Sequence, residues 1–229
     1  MKALIKTVEL SKHYKKAIAL NNVSVTIPEG AIYGLVGNNG AGKTTLMRLL
    51  ANLQQPTGGH IDMDTGLKIG ALIEYPALYP LMSACGNLIY QLRLKGYTRK
   101  EAKTTAADLL ALVCLENNRK RVMHYSLGMK QRLALALALV GEPDFLILDE
   151  PMNGLDPEGI QRMRHLLRRL NEEYGVTILI SSHILGKLQK VATHYGFLKN
   201  GSLLKEISAA DIHTNDLEQF YFQNNLSYG

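Results

Sequence analysis

The sequence predicts an α/β fold in which a mostly parallel sheet is covered by helices on both faces. Three observations predict it. Short apolar, β-branched runs alternate with stretches of helical periodicity along most of the chain. Two runs, residues 145–148 (Phe-Leu-Ile-Leu) and 176–181 (Val-Thr-Ile-Leu-Ile-Ser), stay apolar almost throughout, as strands buried on both faces do. A third run, residues 32–36, leads into a glycine-rich loop at 37–44, and a helical pattern leaves that loop through Met47, Leu49 and Leu50.

The elements follow in order. Residues 4–10 and 17–27 are β-like, and Pro28, Glu29 and Gly30 form a turn. The loop at 37–44 and its helix come next. Residues 55–59 (Gln-Pro-Thr-Gly-Gly) make a second turn, before strands at 60–63 and 67–73. From 83 to about 138 the pattern is helical, with Leu88, Leu92, Leu109, Leu110, Leu112 and Val113 at helix-like spacing. Residues 160–174 form an amphipathic helix and 184–192 another helix. Residues 195–198 and 202–206 pair as a hairpin across Lys199, Asn200 and Gly201. The tail, 211–229, is polar with interleaved Phe220, Tyr221 and Phe222, and is expected as a terminal helix packed on the core without a catalytic role.

Composition narrows the class. The 229 residues suffice for one large α/β domain with a subdomain, and 46% hydrophobic content fills its core. The net charge of +6 and pI near 9.2 permit nucleic acid, an anionic membrane surface or a plain solvated surface, and charge alone does not choose. Cys85 and Cys114 lie far apart without CxxC or CxxH neighbours, which reads as reduced thiols. The N-terminus opens into a strand pattern with no signal-peptide core, and no apolar run reaches the roughly 18 residues of a bilayer span. The expectation is a soluble or peripheral protein.

Residues 37–44 read Gly-Asn-Asn-Gly-Ala-Gly-Lys-Thr and fit G-x-x-x-x-G-K-[ST], the phosphate-binding loop. The glycines let backbone N–H groups curl around phosphate oxygens, and the following helix adds its positive end. Lys43 would reach β- and γ-phosphates, and Thr44 would offer its hydroxyl to Mg²⁺. The strand at 145–148 ends in Asp149 and Glu150, at the sheet edge where open α/β sheets bind ligands. Asp149 suits Mg²⁺ coordination through water, and Glu150 suits polarisation of an attacking water. Ser126 can cap a helix whose first turn, with Gly128, makes a second phosphate-binding surface.

Residues 125–132 (Tyr-Ser-Leu-Gly-Met-Lys-Gln-Arg), placed just before the Asp149–Glu150 strand, resemble the signature of the ATP-binding cassette family. Ser126, Gly128, Gln131 and Arg132 fit its LSGGQ-x-Q-R pattern, while Leu127 and Met129 depart from it. The resemblance covers nearly the whole chain. It implies a P-loop NTPase core, about 1–82 and 135–212, with an antiparallel β edge. A helical subdomain, about 83–134, is inserted into it, and 213–229 is a C-terminal tail. It implies an ATPase with ATP and Mg²⁺ as cofactors. The implied ATP contacts are Gly37, Asn38, Asn39, Gly40 and Ala41, then Gly42, Lys43, Thr44 and Thr45, with Tyr14 stacked on adenine. Ser126 and Gly128 are implied to face the nucleotide of a second subunit, and Asp156 is a further implied ATP contact. Residues 153–157 (Asn-Gly-Leu-Asp-Pro) match the loop that couples two ATP sites, with Met152 standing where Ser or Thr is more usual. His183 matches the switch histidine on the γ-phosphate and joins Glu150 as a catalytic residue.

One position is unusual. The family commonly has glutamine where this chain has Glu74, and glutamate is typical of transporters for bacitracin-type and lantibiotic peptides. Glu74 is expected near Mg²⁺ and the attacking water, so the implied metal set is Thr44, Glu74 and Asp149, and the implied catalytic set is Glu150, His183 and Glu74. The resemblance further implies a separately encoded membrane permease, a head-to-tail dimer of nucleotide-binding domains on ATP binding, and a peripheral place on the cytoplasmic face of the membrane. Glu74 and a short chain favour export of an antimicrobial peptide. The alternative is a soluble ATPase of the same type acting on ribosomes or DNA. Such proteins usually carry two cassettes or a long coiled coil, which this chain lacks, so no nucleic acid is expected. A non-hydrolysing regulator is a third class, against which Glu150 and His183 argue.

Overall fold

The computed structural model describes residues 2–15, 17–74, 78–212 and 217. Its centre is a six-stranded sheet in the order β10-β9-β4-β8-β7-β6. The strands are β4 (Ile32–Val36), β6 (Ile69–Leu72), β7 (Phe145–Leu148), β8 (Thr177–Ser182), β9 (His194–Lys199) and β10 (Ser202–Ser208). All neighbouring pairs are parallel except β9 with β10, the hairpin the sequence predicts.

Side-chain alternation sends each strand into two cores. In β7, Phe145 and Ile147 enter one cluster while Leu146 and Leu148 enter the other. In β8, Ile178 and Ile180 face one side and Leu179 the other. A strand with two buried faces has no room for polar alternation, which is why these runs are apolar throughout.

One face carries α1 (Lys43–Leu50) and a second sheet. That sheet is fully antiparallel: β1 (Ala3–Tyr14) pairs with β2 (Ala17–Val23), β3 (Thr26–Pro28) and β5 (Gly58–Met63). Leu46, Met47, Leu49 and Leu50 of α1 pack with Ile5, Leu10 and Leu20 of this sheet, and with Tyr33, Leu35 and Leu179 of the parallel one. The antiparallel part is thus a four-stranded sheet of its own, besides the β10 edge. The β-like stretch expected at 17–27 breaks after Val23, because Val25 N–H turns to the Thr7 hydroxyl (2.8 Å) and Thr7 donates to Val23 O (2.9 Å).

The opposite face carries α2 (Ala84–Leu94), α3 (Arg99–Leu112), α4 (Leu127–Ala138) and α5 (Pro157–Glu172). Their starts are written in the sequence: Ser83, Ser126 and Asp156 cap α2, α4 and α5, and Thr98 with Glu101 forms a capping box on α3. The expected boundary near 134 falls inside α4, which runs unbroken to Ala138. There α4 meets β6 so closely that a Cβ on Gly70 would lie 2.1 Å from Ala138 O.

The helix expected at 184–192 shrinks to α6 (Leu185–Leu188). Gly186 weakens it, and the N–H groups of Val191 and Ala192 both turn back to Leu188 O. The expected terminal helix lies outside the described residues, apart from Leu217, which is buried in the core.

Candidate functional site

Parallel strands end at one edge of the sheet, and there the loops after β4, β6, β7 and β8 meet. The loop after β4 is held open by Gly42, whose φ of +105° is left-handed. A Cβ there would also stand 2.6 Å from Ala19 O, so the turn demands glycine twice over. Gly37 and Ala41 are buried beneath the loop, whereas Asn39 and Gly40 are exposed at its mouth. Thr45, half-buried, follows Thr44 in the first turn of α1.

Lys43 folds back over the loop. Its Nζ donates to Gly37 O (2.6 Å) and Asn38 O (3.0 Å) and lies 3.8 Å from a Glu150 carboxylate oxygen. Burial pushes its pKa down, opposed by the negative charges of Glu150 and Asp149.

Asp149 is gripped from both sides. Thr44 Oγ1 donates to its Oδ2 (2.7 Å) and Ser181 Oγ donates to its Oδ1 (2.5 Å). Ser181 also accepts the Glu150 N–H (2.8 Å). The backbone of Glu150 is left-handed, with φ +48°, a conformation costing roughly 1–2 kcal/mol for a residue with a Cβ. Its carboxylate meets His183 Nδ1 at 2.7 and 2.8 Å. Glu150 therefore sits between a lysine and a histidine, each delivered by a different strand end. Such a carboxylate can accept a proton, and its two neighbours hold it in one place.

Glu74 follows β6 with φ +63° and forms an ion pair with Arg48 of α1. It lines the same cleft of about 820 Å³ as Asn38, Lys43, Thr44, Asp149 and Glu150. That volume suits a nucleotide-sized ligand.

Ser126, Gly128 and Asp156 do not join this cleft. They line a separate pocket of about 270 Å³ with Arg132, Leu155 and Arg162. Ser126 Oγ accepts from Met129 N (3.3 Å) and Asp156 Oδ1 from Gly159 N (2.9 Å), so both act as helix caps. Of the departures from the signature, Leu127 is exposed beside both pockets and Met129 packs on the core. Met152 is a core residue. Tyr14, at the end of β1, is 39% exposed, with its hydroxyl donating to Gln54 (2.5 Å) and Lys12 Nζ 5.4 Å from its ring. It is not among the residues lining the cleft.

Two participants were missed at the sequence level. Ser181 had a signal, a serine buried at the end of an apolar strand and therefore in need of a partner. Arg48 had none, since its partner lies 26 residues away on another element.

The family model described as ABC transporter matches residues 20–153. The lantibiotic transport ATP-binding protein SrtF of Streptococcus pyogenes is 42% identical over 211 residues, covering 89% of this chain and 90% of that protein. The bacitracin transport ATP-binding protein BcrA of Enterococcus faecalis is 38% identical over 223 residues, 93% of this chain and 72% of that protein. Among solved structures, the post-hydrolysis dimer of the ATP-binding cassette MJ0796 with ADP and Pi superposes with a TM-score of 0.80 at 28% identity, covering 90% of this chain and 98% of that one. Family model, relatives and fold agree with a phosphate loop facing a carboxylate–histidine pair, and the chain belongs to the ABC transporter family as its ATP-binding, ATP-hydrolysing subunit.

Proposed function

We propose that this subunit powers a separately encoded membrane permease that exports or expels an antimicrobial peptide of the bacitracin or lantibiotic type. The observation that carries the reading is identity of about two residues in five, along nine-tenths of the chain, to two proteins named for transport of such peptides. Glu74 at the rim of the cleft supports it. No helix among the described residues is long and apolar enough to cross a membrane, consistent with a peripheral place on the cytoplasmic face.

In this reading the loop from Gly37 to Thr45 and Lys43 hold the phosphates. Thr44 and Asp149 fit Mg²⁺: their oxygens are hard donors, 2.7 Å apart beside the phosphate loop. The ion, when bound, neutralises phosphate charge. Glu150 takes the proton of the attacking water. His183 engages Glu150 through Nδ1, which leaves Nε2 to face the γ-phosphate. Glu74 supplies a third oxygen on the metal side once Arg48 releases it. Ser126, Gly128 and Asp156, grouped in their own pocket, complete the nucleotide site of a second subunit in a head-to-tail dimer. The adenine-stacking role of Tyr14 rests on the resemblance alone, since Tyr14 lies outside the cleft lining.

The test is peptide resistance in cells that carry the permease with wild-type chain or Glu150→Gln. The variant should bind ATP, lose steady-state hydrolysis and lose resistance to bacitracin or a lantibiotic. Full resistance without hydrolysis would overturn the reading.

A further inference from the structure

The segment after β8 carries His183 and then only four helical residues. A four-residue helix has little hydrogen bonding of its own: at its end Gln189 N–H closes on Leu185 O (3.1 Å), and Gly186 O and Lys187 O are met from another element. Ser182 secures the near end: its Oγ accepts the Ile184 N–H (3.0 Å) and donates to Ile184 O (3.1 Å). The far end is secured from another element. Arg164, half-buried on α5, donates through Nε to Lys187 O (3.1 Å) and through Nη2 to Gly186 O (2.5 Å). One turn further along α5, Arg168 donates to Lys190 O. The rigid fork of Arg164 thus spans two consecutive carbonyls, three and four residues beyond His183.

We infer that Arg164 is a positioning residue for hydrolysis: it anchors the turn after His183 and so holds the imidazole against Glu150. The inference rests on the role given to His183 above. Arg164 is not among the residues lining the nucleotide cleft. Its effect passes through a backbone turn, and Arg168 reinforces that turn at its end. Loss of the fork frees residues 184–190 to shift, and a displacement of His183 by an ångström changes turnover without changing how tightly the phosphate loop binds ATP.

The experiment is a double-mutant cycle on the full chain, with Arg164→Gln, His183→Ala and the pair. ATP affinity is measured by titration and hydrolysis by single turnover, followed long enough to resolve slow residual rates. Arg164→Gln should slow hydrolysis about 10- to 100-fold with ATP affinity within about twofold of wild type. In the His183→Ala background it should slow hydrolysis by less than about twofold, because the group it positions is gone. Arg164→Lys, which keeps the charge and loses the fork, should fall between. It runs the same cycle if Arg164→Gln melts at a lower temperature. Wild-type hydrolysis in both Arg164 variants, or the same loss with and without His183, overturns the inference. Wild-type hydrolysis in His183→Ala alone sinks the role of His183, and the inference with it.

Discussion

Ser181 is the residue through which the two acids at the end of β7 are tied together. It donates to Asp149 and accepts from the backbone of Glu150 while almost wholly buried. Ser181→Ala leaves one buried N–H without its acceptor and one carboxylate oxygen without its donor, a loss of about 1–3 kcal/mol for each unmet group. We predict slower hydrolysis with ATP affinity nearly unchanged, because the loop that grips the phosphates is untouched. Steady-state kinetics and nucleotide titration on one preparation check this. The Arg48–Glu74 pair carries the second prediction at this scale. Arg48→Ala should shift the Mg²⁺ dependence of hydrolysis to lower concentration, since Glu74 then loses its competing cation. Glu74→Gln should retain basal hydrolysis but move the Mg²⁺ midpoint upward and reduce peptide resistance. Unchanged midpoints in both variants would leave Glu74 as a rim residue without a metal role. The residues with strong local grammar, Lys43, Thr44, Asp149, Glu150 and His183, were legible because neighbours in sequence announce them. Arg48 and the double role of Ser181 were not, because each depends on pairing across elements.

At the scale of elements, the strands were the most legible, since a strand buried on both faces must be apolar throughout, and β7 came out at its expected residues. Capping side chains made the starts of α2 and α4 legible, at Ser83 and Ser126, whereas Asp156 starts α5 at Pro157 rather than the expected 160 and the start of α3 after Thr98 went unread. Helix ends were not legible: α6 stops at Leu188, where the N–H groups of Val191 and Ala192 both turn back to Leu188 O and Arg164 takes the carbonyls of Gly186 and Lys187. The break between β2 and β3 was equally hidden, because it is made by Thr7 from another strand. The loop between β4 and α1 gives a prediction of its own. Gly42→Ala sets a Cβ into a left-handed residue and against Ala19 O. Strain of about 1–2 kcal/mol follows from the backbone alone, so urea denaturation should show at least that loss. ATP affinity should fall together with it, because the loop must move to make room.

For the molecule as a whole, the separation of two pockets is the feature with the largest reach. One chain holds the phosphate loop and the acids, while Ser126, Gly128 and Asp156 gather elsewhere. Ser126→Arg should therefore leave nucleotide binding to a single chain intact and abolish ATP-dependent dimerisation, read by size-exclusion chromatography with Glu150→Gln as the background. Dimers that persist in this variant would remove the second pocket from the interface. The division was legible only through the family resemblance, which turns Ser126 and Gly128 toward a second subunit; distance along the chain does not show it, since Gly154 lines both pockets.

The close seat of α4 on β6 has a mechanical meaning. Ala138 O lies where Gly70 would place a side chain, so this end of the helix has no slack. The other end carries Ser126, 12 helical residues or about 18 Å away. Gln131 and Arg132 tie its first turns to Asn153 O and Val113 O, so any tilt about Gly70 would have to carry those loops along. A tilt of ~10° there swings the Ser126 end by ~3 Å, about the length of one hydrogen bond. A bulkier residue than Gly70 would lift this end of α4 off the sheet and shift the Ser126 end with it.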